Sequence, residues 1–350
     1  MNDSKQRTQN AMIGLAIGDA IGWTSMFHRS FLLPLWTRRK RREIDAYSET
    51  TNVIIQPMPF SLNQPAEHFN IAPTFNTEWA AFATEILISN DYELYPESAL
   101  KEWNKLAQSN ELIRGSVATQ TALSNLKKGL QPPQSGKENP HYFDDSAMSR
   151  AVPIGIICAG KPDEAAHLAE IDASVTNSED GIWAAQAMAA AISLVCSGKN
   201  ISDSIEIAHQ YLPRTSWIRR IVEEALLIIR ESKSIFSILP ELQNEIVNRE
   251  YSYGNVAPET LALTFAIARL HGNNFETAVT TSLGFAKSAE SLPAMVGALV
   301  GAMNSMEIVN ENWLNAIRSL KGICIPSFVG KDYLRLTEQL SNFADKKISK

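Results

Sequence analysis

The sequence predicts an all-α fold, and three observations carry that prediction. Apolar residues recur at three- and four-residue spacing along most of the 350 positions, the repeat of helices with one buried face. Strand signals are scarce: Thr51–Phe60 is the one convincing β-branched run, and its two prolines reduce it to an extended or edge segment. No Pro/Ser/Gly-rich linker and no internal repeat divides the chain, so one multi-helix domain over 1–350 is expected, with a basic and extended insertion at about 36–73.

Taken in order, the first element is a helix through Gly14-Leu-Ala-Ile-Gly18-Asp19-Ala-Ile-Gly22. Glycines four residues apart share one helix face and let another backbone or a ligand approach closely. Each costs about 1 kcal/mol relative to Ala in a helix interior, so three of them point to a packing or site role. Asp19 stands among apolar neighbours and needs partners. The periodicity then predicts helices over 80–89, 97–107, 117–128, 147–159, 163–173, 182–197, 201–211, 217–231, 258–270, 275–285, 292–304 and 313–320. Gly129, Pro132-Pro133, Gly136, Pro140, Pro162, Gly198 and Gly272 mark boundaries between them. Residues 131–145 read as a loop that delivers Asp144 and Asp145 to a helix start, where Asp is a good cap.

Composition narrows the function class. Charged residues are 20% and apolar residues 45%, as in a globular protein with a sizeable core. The net charge of −6 argues against a nucleic-acid partner. No stretch resembles a secretory signal or an apolar span of about 20 residues, so no membrane partner and a cytoplasmic location are expected. Cys158, Cys196 and Cys324 lie far apart in apolar surroundings and read as core thiols. The basic run Arg38-Arg-Lys-Arg-Arg42 reads as a solvated face, with a phosphate or acidic-partner contact or a localisation signal as the functional alternatives. The six histidines form no spaced pair, and none is assigned to metal or catalysis.

The opening glycine motif, the helical pattern and several later landmarks together resemble the ADP-ribosylglycohydrolase family over roughly residues 11–304. Met148-Ser-Arg150-Ala-Val-Pro153-Ile-Gly155 resembles the family's M-R-x-x-P-x-G segment with one residue inserted, and Val175-Thr176 begins its T-H turn. Pro258-Glu-Thr-Leu, Phe275-Glu-Thr-Ala-Val279 and Gly297-Ala-Leu-Val-Gly301-Ala302 resemble its closing helices. The resemblance implies an all-α ADP-ribosylglycohydrolase-type domain and a ligand bearing a ribosyl or glycosyl group.

Enzymes of that family hold two Mg²⁺ ions among carboxylates and Thr hydroxyls at the ribose they cleave. Here Met26 stands where the first Glu belongs, Thr74-Phe75-Asn76-Thr77 replaces T-D-D-T, Thr176-Asn177 replaces T-H, and Lys287-Ser-Ala-Glu290-Ser291 replaces G-D-x-D-T. One carboxylate with neutral oxygens is a poor cage for two divalent ions, so no metal ligands and no cofactor are assigned.

What remains is a set of candidates. Asp145, Glu290 and Glu78 are the carboxylates that can flank a glycosidic bond as general acid and base. Asp19, Trp23, Asn76, Thr77, Arg150, Asn177, Lys287, Ser288 and Ser291 are the candidate ligand-binding set. Each has an ordinary structural alternative: Glu78 as a first-turn residue, Asp145 as an N-cap, Asp19 as an anchor, and Trp23 and Trp79 as core. Arg150, on an apolar helix, needs a carboxylate such as Asp19 or Asp145, or a phosphate. Lys287 can replace part of a lost cation if it points inward. A divergent glycosidic-bond hydrolase and a catalytically inactive module binding a ligand or a protein are the two functions expected.

Overall fold

The computed structural model describes residues 3–26, 72–231, 235–247, 255–285, 287–303 and 311–348. The expected insertion at about 36–73, with its basic run and extended segment, lies outside the described residues as far as position 71. So do the side chains of Trp23 and Met26 in the last turn of the first helix.

Among the described residues the secondary structure is helical, with two isolated β-bridges and no strand. The all-α expectation holds. In chain order the helices are α1 (Asp3–Met26), α2 (Phe75–Ser89), α3 (Pro96–Gln108), α4 (Val117–Lys127), α5 (Gln134–Lys137) and α6 (Ser146–Ile157). There follow α7 (Pro162–Ala173), α8 (Asp180–Cys196), α9 (Ile201–Ala208), α10 (Trp217–Ile228) and α11 (Ile235–Glu245). The last are α12 (Ala257–His271), α13 (Phe275–Ser282), α14 (Leu292–Gly301), α15 (Glu311–Arg318) and α16 (Tyr333–Ile348). α5, α11 and α16 were not anticipated. No helix among the described residues is long and apolar enough to cross a membrane.

Side-chain polarity sorts the helices into layers. α6 and α14 are buried along their whole length, and α8 (DGIWAAQAMAAAISLVC) and α12 nearly so. A helix apolar all round belongs in the middle. α6 packs on α8, α8 on α7, α12 on α10 and α2 on α6. α3, α10 and α16 carry one apolar stripe each and cover the outside. One continuous apolar core runs from Ala11 to Ala344. Cys158, Cys196 and Cys324 are free thiols inside it.

The most intimate pair is α1 with α14. A Cβ placed on Gly14 would sit 2.1 Å from the Gly297 carbonyl oxygen, and one on Gly18 would sit 1.9 Å from that of Pro293. The glycine face predicted as a close-approach surface therefore meets another backbone. α16 ties α1 to α7: the Tyr333 hydroxyl donates to the Met12 carbonyl at 3.0 Å, and Lys347 pairs with Glu164 on α7 at 2.9 Å.

Candidate functional site

Four helix starts meet at one place: α2 at 74–77, α6 at 144–146, α12 at 255–260 and the turn 287–291 that leads into α14. Asp19 sets the first of them. Its Oδ2 accepts from the Thr74 N–H at 2.7 Å, the Thr77 N–H at 3.1 Å and the Thr77 hydroxyl at 2.6 Å. Its Oδ1 accepts from the Thr74 hydroxyl at 2.7 Å and the Asn76 amide at 3.3 Å. A carboxylate from α1 thus caps α2, where negative charge is favoured by the helix dipole. Asp19 and Thr77 are joined to each other, so their oxygens serve as an anchor. Asn76 also donates to the Glu290 carbonyl at 2.7 Å, which pins the turn before α14 against the start of α2.

Glu78 goes elsewhere. Fully buried, its carboxylate accepts the backbone N–H groups of Ile323, Cys324 and Ile325 at 2.8, 2.7 and 3.1 Å. It ties the segment before α16 to α2 and is not available as the acid or base expected of it. Glu78→Gln turns one acceptor into a donor facing buried N–H groups. It is expected to lower unfolding free energy by about 2 kcal/mol in urea titration.

The second structural network lies behind α6. Arg150, fully buried, donates from Nε to Asp172 Oδ2 at 2.7 Å and from Nη2 to the Thr176 hydroxyl at 2.7 Å. Its guanidinium carbon lies 4.9 Å from the centre of the Trp103 ring. The partner is Asp172 rather than Asp19 or Asp145, because the side chain runs back toward α7. Trp103 stacks on Trp79 with ring centres 5.3 Å apart, which makes Trp79 a core residue. Thr176 donates to Asn177 Oδ1 at 2.6 Å, and Asn177 Nδ2 donates to the Tyr142 and Asp144 carbonyls at 3.1 and 3.0 Å. Asn177, expected to meet a ligand, instead braces the loop that carries Asp144 and Asp145.

That bracing decides which aspartate caps α6. Asp144 Oδ1 accepts from the Ser146 N–H at 3.1 Å and its hydroxyl at 2.6 Å. Asp145 sits at the N-cap position yet makes no capping hydrogen bond. The β-bridge of Asp144 with Val256 and the Ala257 N–H bond to the Phe143 carbonyl, 2.9 Å, lay the start of α12 alongside. Asp145 turns toward it and accepts from the Thr260 hydroxyl at 2.6 Å. Burial pushes its carboxyl from the ordinary 3.8 up to about 7, against the stabilising Thr260 hydrogen bond, and the charges of Asp144 and Glu290 add to the rise. The Ser291 hydroxyl also favours the ionised form by hydrogen bonding.

Of the three candidate carboxylates, Asp145 and Glu290 therefore come within electrostatic reach of one another, and Glu78 does not join them. Ser291 belongs to the same cluster through Asn255, whose Nδ2 donates to Ser291 Oγ at 3.0 Å. Ser288 is fully buried with its hydroxyl unpartnered. Lys287 grips both oxygens of Glu259 at 2.7 and 2.9 Å, which neutralises the charge expected to stand in for a cation. Asn255, Glu259 and Thr260 did not stand out in the sequence as site residues. The Pro258-Glu-Thr motif marked the helix but gave no sign that Asp145, 115 positions away, is its partner.

The donor set fits a divalent metal pair poorly. The oxygens of Asp19 are taken by α2 and the side-chain oxygen of Asn177 by the Thr176 and Ser146 hydroxyls, while positions 26 and 75 are Met and Phe. Among the described residues no group of three His, Cys, Asp or Glu side chains can hold a metal ion. A separate surface hollow of about 390 Å³ lies along the C-terminal half of α2, between Phe82, Glu85, Glu102 and Leu336, and shares no residue with this cluster.

Known proteins place the chain in the same frame. An uncharacterized protein of Archaeoglobus fulgidus is 25% identical over 319 residues, covering 90% of this chain and 92% of its own. A solved structure described as an ADP-ribosylglycohydrolase-related protein complex superposes with a TM-score of 0.62 at 17% identity, covering 100% of both chains, a likeness of fold. The family model for ADP-ribosylglycohydrolase matches residues 1–347, and this chain belongs to that family.

Proposed function

We propose that this protein hydrolyses an N- or O-glycosidic bond of an ADP-ribose-like or nucleoside-like compound by carboxylate chemistry, without a dinuclear Mg²⁺ centre. One observation carries the proposal: Asp145 is a buried carboxyl pushed up to about 7, close to a second carboxyl, Glu290. An acid that keeps its proton near neutrality can give it to a departing group. In this reading Asp145 protonates the leaving atom as its bond to the sugar carbon breaks. Glu290 takes a proton from the water whose oxygen adds to that carbon, and solvent then returns a proton to Asp145 and removes the one on Glu290.

The rival reading is a module that binds a ribosyl ligand or a protein without turnover. It is supported by the internal use of Asp19, Glu78, Arg150 and Asn177, all buried and all hydrogen-bonded within the protein. Incubating the purified chain with N- and O-linked ADP-ribosyl peptides and with nucleosides decides between them. Product release is expected, falling about 100-fold or more in Asp145→Asn and in Glu290→Gln. Full activity in both variants removes these two residues from the mechanism. Thermal stabilisation by ADP-ribose with no turnover favours the binding module; at 100 times the dissociation constant it amounts to about 2.7 kcal/mol. Stabilisation that appears only with Mg²⁺ contradicts the metal-free reading.

A further inference from the structure

Asn255 is 7% exposed and stands at the entry to α12. Its Nδ2 is committed to Ser291 Oγ at 3.0 Å, beside Asp145. The other end of the same amide, Oδ1, is buried with no donor, and so is the Ser288 hydroxyl at the start of the same turn. A buried acceptor without a donor costs about 1–3 kcal/mol, and each such group calls for an occupant that satisfies it.

The surroundings define that occupant. Asp144 and Glu290 supply negative charge beside Asp145, and Lys287, at the start of the turn that carries Ser291, is bound to Glu259. A phosphate is therefore repelled. A neutral group with hydroxyl donors is accepted by Asn255 Oδ1 and can bond in either sense with Ser288.

We propose that Asn255 is a substrate-binding and positioning residue, whose Oδ1 accepts a hydrogen bond from a hydroxyl of the sugar while its Nδ2 holds Ser291 against Asp145. The proposal rests on the reading of Asp145 as the working carboxyl. It adds that the sugar end of the ligand, rather than a phosphate, lies against the entry to α12.

The test is calorimetric binding of ADP-ribose and of AMP, which lacks the second ribose, to the full chain and its variants. Asn255→Ala is expected to weaken ADP-ribose about tenfold and to leave AMP unchanged. Asn255→Asp keeps an oxygen acceptor of the same shape and is expected to stay within about threefold of the parent for ADP-ribose. A purely structural Asn255 would show the opposite order, because Asp adds a third charge to the cluster and removes the donor to Ser291. If Asn255→Ala fails to fold, Asn255→Val, which fills the space, is expected to show the same tenfold loss. Unchanged affinity in the folded Ala or Val variant overturns the proposal and assigns the orphaned acceptor to a buried water. Parent binding without turnover refutes the hydrolase reading alone. Turnover with Asn255→Ala indistinguishable from the parent refutes this inference alone, and a parent that binds neither probe refutes both.

Discussion

Asp145→Asn is expected to make the folded protein more stable at pH 8, although the same change removes the proposed acid. The carboxyl is 5% exposed and pushed from 3.8 up to about 7. Between those values the folded state retains a proton that the unfolded chain has released, so stability falls as pH rises through this range. The loss is complete above pH 7 and amounts to about 4 kcal/mol, taking 1.36 kcal/mol for each pH unit between the two values. An amide of the same shape carries no such penalty, and its oxygen can still accept from Thr260. Urea titrations should show parent and variant converging near pH 4 and separating progressively to pH 8, with the variant ahead. A variant that is less stable at pH 8 would mean that the carboxylate is already satisfied in its ionised form. A gain in stability at the cost of function is the signature of a group held under strain for its chemistry.

Gly18→Ala is the second large effect, and its sign is opposite to helix propensity. In an exposed helix interior the change stabilises by about 1 kcal/mol. Here the new methyl would lie 1.9 Å from the Pro293 carbonyl oxygen and 2.4 Å from its carbon. Both are backbone atoms of a helix buried along its whole length, so neither can swing aside. α1 and α14 must separate, and the loss is expected to be about 3 kcal/mol or more, read as a fall in melting temperature or in soluble yield. The displacement also withdraws Asp19, one residue on, from the start of α2. ADP-ribose binding should then weaken even where the variant still folds. Gly129, left-handed with nothing near its hydrogen, is the control position for glycine loss without a packing clash.

The helices were legible because each is long, periodic and punctuated by Gly, Pro or a cap. Asn200 and Ser216, for example, cap α9 and α10 through their side chains. The expected helices over 201–211 and 217–231 both end instead in a 3-10 turn, at His209–Tyr211 and Ile229–Glu231. Two longer elements escaped. α11 carries an internal proline, Pro240, and α16 is short of apolar residues, since its stripe covers an outer face. The site was legible only in part. Family resemblance brought Asp145 and Glu290 into view, but which carboxylate is used up as a cap or a brace depends on contacts between distant segments. Asp144 and Asp145 are adjacent and chemically identical; the bridge to Val256 makes one a cap and turns the other inward. Glu78 and Asp145 are equal candidates in the sequence, and only the backbone of 323–325, 246 positions away at Cys324, occupies the oxygens of Glu78.

That last contact bears on how the protein is made. The first turn of α2 is held from both directions of the chain, by Asp19 ahead of it and by Ile323–Ile325 far behind it. A buried carboxylate cannot settle into the core until its donors exist, so α2 reaches its final place only after residue 325 has left the ribosome. Helices can form early, yet this contact closes across 246 positions and is not local to any of them. A nascent chain stopped before this segment would expose Glu78 and the underside of α2, and would be recognised as unfinished by chaperones and proteases.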